Sequence, residues 1–331
     1  MSELTIIDMH THVQRDEAHG REIREYFLGG ALVKPGAPNL GTIEEVEEMM
    51  AATGISAVNM LQFTWSGRYA RHGRYTLPDD PAERVAASEE IDRRAARRAS
   101  ENNAWAAQVH ARDPRFTFFA GVNPVVMGAE GAVAEVALRR AQGAAGVKIV
   151  PSDMGISGDD PALFPLYEYC ATHDVPILTE TGGHSPHSRP APFGVALAAF
   201  RGLRIVFAHC GHDRTLGGPL DLEFLDLAAS YDGVYGDTSL RLHEVADGTV
   251  TPEEMVSFVR RVGAERLMFG SNYVFCDLLP ERPGHVPAPD GVDPRFTQVH
   301  KSVTVLKTLP VTDTERESLG AGTFLQLTGS R

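Results

Sequence analysis

The sequence predicts an α/β chain folded as a distorted (β/α)8 TIM barrel, with loop insertions at the C-terminal face of the strands. Three observations carry that expectation. Short apolar runs alternate eight times with longer helical patterns across the 331 residues. The runs are continuous in Val, Ile, Leu and Phe rather than alternating, as parallel strands buried on both faces require. The first run leads into Asp8-Met9-His10-Thr11-His12, where a doubly wound sheet favours a glycine-rich phosphate loop. No linker or low-complexity stretch divides the chain, so one domain over residues 1–331 is expected.

In chain order, strand one is read at Leu4–Ile7. Strand two, Ala57–Leu61, follows a helix over Thr42–Thr53. Strand three, Phe116–Val122, follows the Ala/Arg-rich helix Ala82–Gln108. Strand four, Gly146–Val150, comes after the helix Gly131–Gln142, and strand five, Pro176–Thr179, after Ala162–His173. Strand six, Ile205–Ala208, follows Phe193–Phe200. The weakest run, Val234–Gly236, follows Leu220–Ser230, and Leu267–Phe269 follows Pro252–Val262. A helix over Thr297–Leu306 and terminal turns close the chain. Three irregular segments, Gln14–Leu40, Trp65–Tyr75 and the proline-rich Leu279–Pro294, are expected beyond strand C-terminal ends, where barrels bind substrates.

Composition narrows the function. The chain is 43% hydrophobic and 23% charged, an ordinary globular balance, and its net charge of −13 lacks the basic footprint nucleic acid demands. No stretch reaches the roughly 18 apolar residues of a membrane span. The first residues carry no basic, apolar secretion leader, and the three cysteines are sparse and odd in number, so a reducing cytoplasmic setting is expected. The expected partner is a small-molecule substrate, with a homodimer allowed and neither nucleic acid nor membrane involved.

The polar residues at strand ends are the chemical candidates, because a barrel gathers those ends at one mouth. His10 and His12, two apart on an extended chain, face the same side and form half of a metal site. Lys148 sits inside an apolar run and is expected to face the mouth and meet an anion, a lysine snorkelling at a strand end being the plainer alternative. Glu180 ends strand five as a metal ligand or general base; a capping or ion-paired carboxylate is the plainer alternative. His209 ends strand six as a ligand or acid/base group, and Asn272 ends strand eight as a hydrogen-bonding residue. His184 in the following loop, and Trp65 and Arg68 with Arg71 and Arg74, are candidates for holding substrate, a solvated loop being equally open for the arginines. Arg93, Arg94, Arg97 and Arg98 read as a solvent face pairing with Glu89 and Glu90, and Cys210 reads as packed away from the mouth.

Five stretches in order, Asp8–His12, Gly146–Ile149, Pro161–Gly183, Ile205–Gly211 and Phe269–Tyr273, resemble the amidohydrolase superfamily. The likeness is to the branch of aminocarboxymuconate semialdehyde decarboxylase and related lactonases, hydratases and hydrolases. The resemblance implies a divalent metal at the barrel mouth, His10 and His12 as ligands, and His209 as the acid or base beside it. Two positions depart from the family: Glu180 stands where a metal-binding histidine is usual, and Asn272 where an aspartate is. With Glu180 coordinating, two histidines and a carboxylate remain, a set suited to Zn²⁺ first and to Mn²⁺ or Fe²⁺ as well. The implied activity is metal-dependent hydrolysis of a small carboxylate-bearing amide, lactone or ester. The alternatives are a non-oxidative decarboxylase or hydratase on the same site, a two-metal site bridged by a carbamylated Lys148, and a barrel that binds without turnover.

Overall fold

The computed structural model describes residues 4–27, 33–34, 37–212, 216–279 and 291–329. Eight parallel strands form one sheet in sequence order: β1 (Ile7–Thr11), β2 (Ala57–Leu61), β3 (Phe116–Gly121), β4 (Gly146–Ile149), β5 (Ile177–Thr179), β6 (Ile205–Phe207), β7 (Val234–Asp237) and β8 (Leu267–Met268). The segment after β8 returns to β1: Met9 N donates to Phe269 O at 3.0 Å and Asn272 N to His10 O at 2.9 Å. The expected barrel is therefore present, nearly closed, with helices between the strands.

Two apolar layers hold it. Inside the barrel, Met9, Leu61, Phe119, Leu178, Val206 and Met268 pack together, and Phe324 and Leu327 of the terminal helix Thr323–Thr328 join them. Outside, residues such as Val58, Phe118, Val147, Ile177 and Ile205 meet the helices. Local signals set the helix ends. Thr251 and Glu254 form a reciprocal capping box ahead of Pro252–Val262, and Asp80 caps the 32-residue helix Pro81–Arg112 just before its first-turn proline.

The differences from the sequence expectation are local. The first strand is Ile7–Thr11 rather than Leu4–Ile7, so His10 lies within it, with a register irregularity between Asp8 and Thr11. Trp65–Tyr75 is not irregular. It holds the helix Ser66–Gly73 and a 3-10 turn, Arg74–Thr76, because Asp153, far along the chain, accepts from Gly67 N and Arg68 N at 2.8 Å and caps that helix. Gln14–Leu40 contains the helix Glu17–Phe27, and the terminal turns are helical over Asp313–Thr328. Most of the Leu279–Pro294 segment lies outside the described residues. Arg93 and Arg94 pair with Glu90 as expected, whereas Arg98 turns to Glu22 and the Tyr69 ring.

Candidate metal centre and active site

β1 brings His10 and His12 to the mouth, both buried, with their Nε2 atoms 3.1 Å apart. On the other side of His12, Asn272 Oδ1 lies 3.1 Å from the same Nε2. Asn272 reaches that place by adopting φ 65°, a left-handed conformation that asparagine tolerates better than most residues. The other nitrogen of His10, Nδ1, sits 2.8 Å from Asp237 Oδ2 at the end of β7. Asp237 Oδ1 accepts from His209 N at 3.1 Å, from Ser239 N at 3.0 Å, and from the Ser239 hydroxyl. Both carboxylate oxygens are thus engaged, and the residue is fully buried.

His209 stacks on His10, ring centroids 4.8 Å apart, and its Nδ1 is 2.6 Å from Ser239 Oγ. Since that hydroxyl donates to Asp237, its oxygen accepts from His209 Nδ1–H. This leaves Nε2 of His209 as the lone-pair nitrogen. Burial first, and the Lys148 charge or a neighbouring imidazole second, push His10, His12 and His209 well below the ordinary histidine value. All three are neutral rings with lone pairs to offer. Burial likewise pushes the Lys148 ammonium down to about 8, although Asp237 and Glu180 favour its charge.

The ligand atoms of His10, His209 and Asp237 lie within 4.8 Å of one another. The convergence of His10 and His12 is more telling. Two imidazole nitrogens each about 2.0–2.1 Å from one tetrahedral ion lie roughly 3.3 Å apart, close to the separation observed here. Two neutral nitrogens and an amide oxygen facing one another suit a divalent cation, and Asp237 behind His10 supplies an outer acceptor of the kind metal-bound histidines usually have. His12 differs: among the described residues its Nδ1 has no hydrogen-bond partner. The residues present therefore fit a divalent metal.

These groups open into a cavity of about 500 Å³. Its polar lining includes Lys148, Glu180, His184 and His212, and Phe63, Trp65 and Phe275 are among its apolar walls. Of the residues singled out from sequence, His10, His12, Trp65, Lys148, Glu180, His184, His209 and Asn272 all line it. Arg68 does not: it belongs to the helix whose N-terminus Asp153 caps, and its backbone N–H is held there. Glu180 lines the cavity, and among the described residues its partners are other than the His10–His12 pair. Its carboxylate pairs with His184 Nε2, accepts from Ser188 Oγ at 2.8 Å and approaches Ser152 N at 3.5 Å. Burial opposes its ionisation, and the His184, Ser188 and Lys148 contacts outweigh that and hold its carboxyl below the usual range.

Asp237 and Ser239 escaped the sequence reading. They follow the weakest apolar run, and the rule that flagged the other strand ends, a polar residue just past the run, would have found Asp237. Cys210 is buried as expected, but in a turn rather than a strand, with Sγ 3.2 Å from Asp237 O.

Comparison with curated proteins gave no match. Solved structures share the fold at low identity. A 2,6-dihydroxybenzoate decarboxylase from Rhizobium is 15% identical, covering 99% of each chain, with a TM-score of 0.65. A dihydroxybenzoic acid decarboxylase from Polaromonas, solved with manganese and 2-nitroresorcinol, is 14% identical over 99% of this chain and 97% of its own, TM-score 0.66. A putative 2-pyrone-4,6-dicarboxylic acid hydrolase from Pseudomonas putida is 19% identical over 99% of each chain, TM-score 0.58. The amidohydrolase family model matches residues 7–295, most of the chain. With that match added to the barrel and the histidine pair at its mouth, the chain belongs to the amidohydrolase family and is a metal-dependent enzyme of that superfamily.

Proposed function

We propose that the protein is a hydrolase for a small carboxylate-bearing lactone, amide or ester, with a divalent cation held by His10, His12 and Asn272. Zn²⁺ is the first choice because two of the donors are imidazole nitrogens. When bound, such an ion supplies Lewis acidity toward a carbonyl oxygen. The observation that carries the reading is the chain of contacts from His209 Nδ1 through the Ser239 hydroxyl to Asp237. The Nδ1–H of His209 is committed to Ser239, which in turn donates to Asp237, so Nε2 presents a lone pair to the cavity. A neutral imidazole held in that way takes a proton from an attacking water, and Asp237, through Ser239, stabilises the imidazolium that forms. The proton then passes from His209 to the leaving oxygen or nitrogen. Lys148, the buried cation of the cavity, holds the substrate carboxylate, and Phe63, Trp65 and Phe275 exclude water around its apolar part. His184 is available to the same carboxylate when it leaves Glu180.

One observation favours the lyase reading. Asn272 stands among the converging donors where a carboxylate could deprotonate water, and an amide has no such capacity. Decarboxylation needs no activated water, only a proton delivered to carbon. The test is metal content of protein purified without chelator, followed by a screen of lactones, amides, esters and aromatic carboxylates that reads acid release and carbon dioxide separately. Hydrolysis without carbon dioxide supports the proposal. Carbon dioxide release from an aromatic acid, with no hydrolysis, overturns it in favour of the lyase.

A further inference from the structure

Beyond β6 the backbone makes a left-handed turn. His209, Cys210, Gly211 and His212 follow one another at φ 59°, 53°, 93° and 32°. For residues other than glycine this region costs roughly 1–2 kcal/mol each, so the turn persists only because its surroundings hold it. The holder is Arg241, which is fully buried. Its Nε donates to His209 O at 3.0 Å, one terminal nitrogen pairs with Asp221, and the other lies 3.2 Å from Glu244 Oε2. The second oxygen of Glu244, Oε1, is 3.4 Å from His212 Nε2. Burial opposes the charge on Glu244, but His212 and Arg241 outweigh it and hold the carboxyl below its usual range. The turn therefore presents two imidazoles to one cavity, their rings 6.1 Å apart and edge to face. His209 serves the reaction proposed above. His212 has no part in it, although its ring lies against a buried carboxylate.

We propose that His212 is a further substrate-contacting residue: with Nε2 turned to Glu244, its ring offers the other nitrogen to the cavity and accepts a hydrogen bond from a hydroxyl or N–H group of the substrate. Nε2 lies toward the Glu244 carboxylate, which favours a proton there, and in the neutral ring the remaining nitrogen is then an acceptor. His212 Nε2 is shielded from solvent and, among the described residues, makes no hydrogen bond of good geometry, its near neighbour being the Glu244 carboxylate, so the 16% of the side chain that is exposed belongs to the rest of the ring. The inference rests on the reading of this cavity as the substrate site and adds a chemical requirement to it: a polar hydrogen on the substrate's His212 side, in addition to the carboxylate that Lys148 faces.

The test compares binding of benzoate with that of 3- and 4-hydroxybenzoate, by calorimetry or saturation-transfer NMR, to the unaltered protein, His212→Phe and His212→Asn. Phe keeps a ring and loses the acceptor; Asn keeps an acceptor and loses the ring. The ratio of affinities within each variant cancels general damage to the cavity. The expected preference for one hydroxybenzoate is about five- to tenfold, the worth of one neutral hydrogen bond. It falls to about one in His212→Phe and is partly kept in His212→Asn. Equal affinities in the unaltered protein, no binding of any probe, an undiminished preference in His212→Phe, or its complete loss in His212→Asn would each overturn the assignment. Metal content and hydrolysis do not enter this ratio, so its failure leaves the hydrolase reading to its own test.

Discussion

Asp237→Asn separates the role of the Asp237 charge from that of its shape. The carboxylate receives four hydrogen bonds while fully buried, three at Oδ1 from His209 N, Ser239 N and the Ser239 hydroxyl, and one at Oδ2 from His10 Nδ1. Asparagine would orient its one oxygen toward the three donors at Oδ1. Its NH2 group then faces His10 Nδ1, and two donors cannot meet. His10 relieves the clash by moving its proton to Nε2, the nitrogen that faces His12. A ring protonated there offers no lone pair to an ion. The fold should survive, since one bond to a charged acceptor is worth about 1.5–3 kcal/mol. Asp237→Ala would instead orphan all four donors at about 1–3 kcal/mol each. Metal affinity in Asp237→Asn should fall about 10–100-fold, the usual effect of losing the outer partner of a ligating histidine. A chelator competition measures affinity, and ¹⁵N shifts of the His10 ring report which nitrogen carries the proton. Native-like metal affinity in a folded Asp237→Asn protein, with His10 protonated at Nε2, would refute the argument that His10 binds through Nε2.

Three further outcomes are expected. Glu180→Gln should keep metal affinity within about threefold, because its carboxylate is engaged by His184 and Ser188; a loss of the 10–100-fold that a lost ligand or outer partner brings would return Glu180 to the ligand set. Lys148→Met should raise stability at pH 7 by about 1–3 kcal/mol in thermal unfolding while weakening benzoate binding, since burial lowers the ammonium from 10.5 to about 8. The unfolded chain binds that proton more tightly, so the gain should shrink as pH climbs from 8 toward 10.5, and equal stability of the two proteins across that range would count against it. Burial lifts the Asp277 carboxyl from 3.8 to about 7, so the folded state keeps a proton the unfolded chain gives up, and this group's contribution to stability falls as pH rises from about 4 to 7. Asp277→Asn should flatten that fall in urea midpoints between pH 4.5 and 7.5, and an unchanged slope would show that Asp277 is ionised throughout.

The barrel was legible because strands buried on both faces read as unbroken apolar runs, and seven of the eight were strong. The errors have physical causes. β1 was set too early because Asp8 and His10 are buried within it, and a strand that carries its functional groups inward loses the apolar signature used to find it. The helix after Trp65 was unreadable because Asp153, which caps it, lies 86 residues from Gly67 in sequence. The site shows the same division. The strand-end rule pointed to His10, His12, Lys148, Glu180, His209 and Asn272, all of which line the cavity, since it asks only which residue comes next along the chain. It could not say that Glu180 would be taken by His184 and Ser188, nor that Arg68 would lie outside the cavity, because loops that fold back on themselves decide both. Asp237 is harder to see because it follows Val234–Gly236, the weakest of the eight runs, whose end is little marked by apolar residues.

Met9, Leu61, Phe119, Leu178, Val206 and Met268 fill the barrel, and Phe324 and Leu327 pack with them, so the cavity is a blind well rather than a tube. Substrate and product then share the mouth as their way in and out, so product must leave before the next substrate enters. The floor and the rim are then free to vary on separate terms. Substitutions among the floor residues alter how tightly the well is sealed and how stable the protein is, with the chemistry several residue layers above left alone. Rim loops can be exchanged to suit another substrate without disturbing the seal. A library aimed at new substrates belongs at the rim, and one aimed at heat tolerance belongs at the floor.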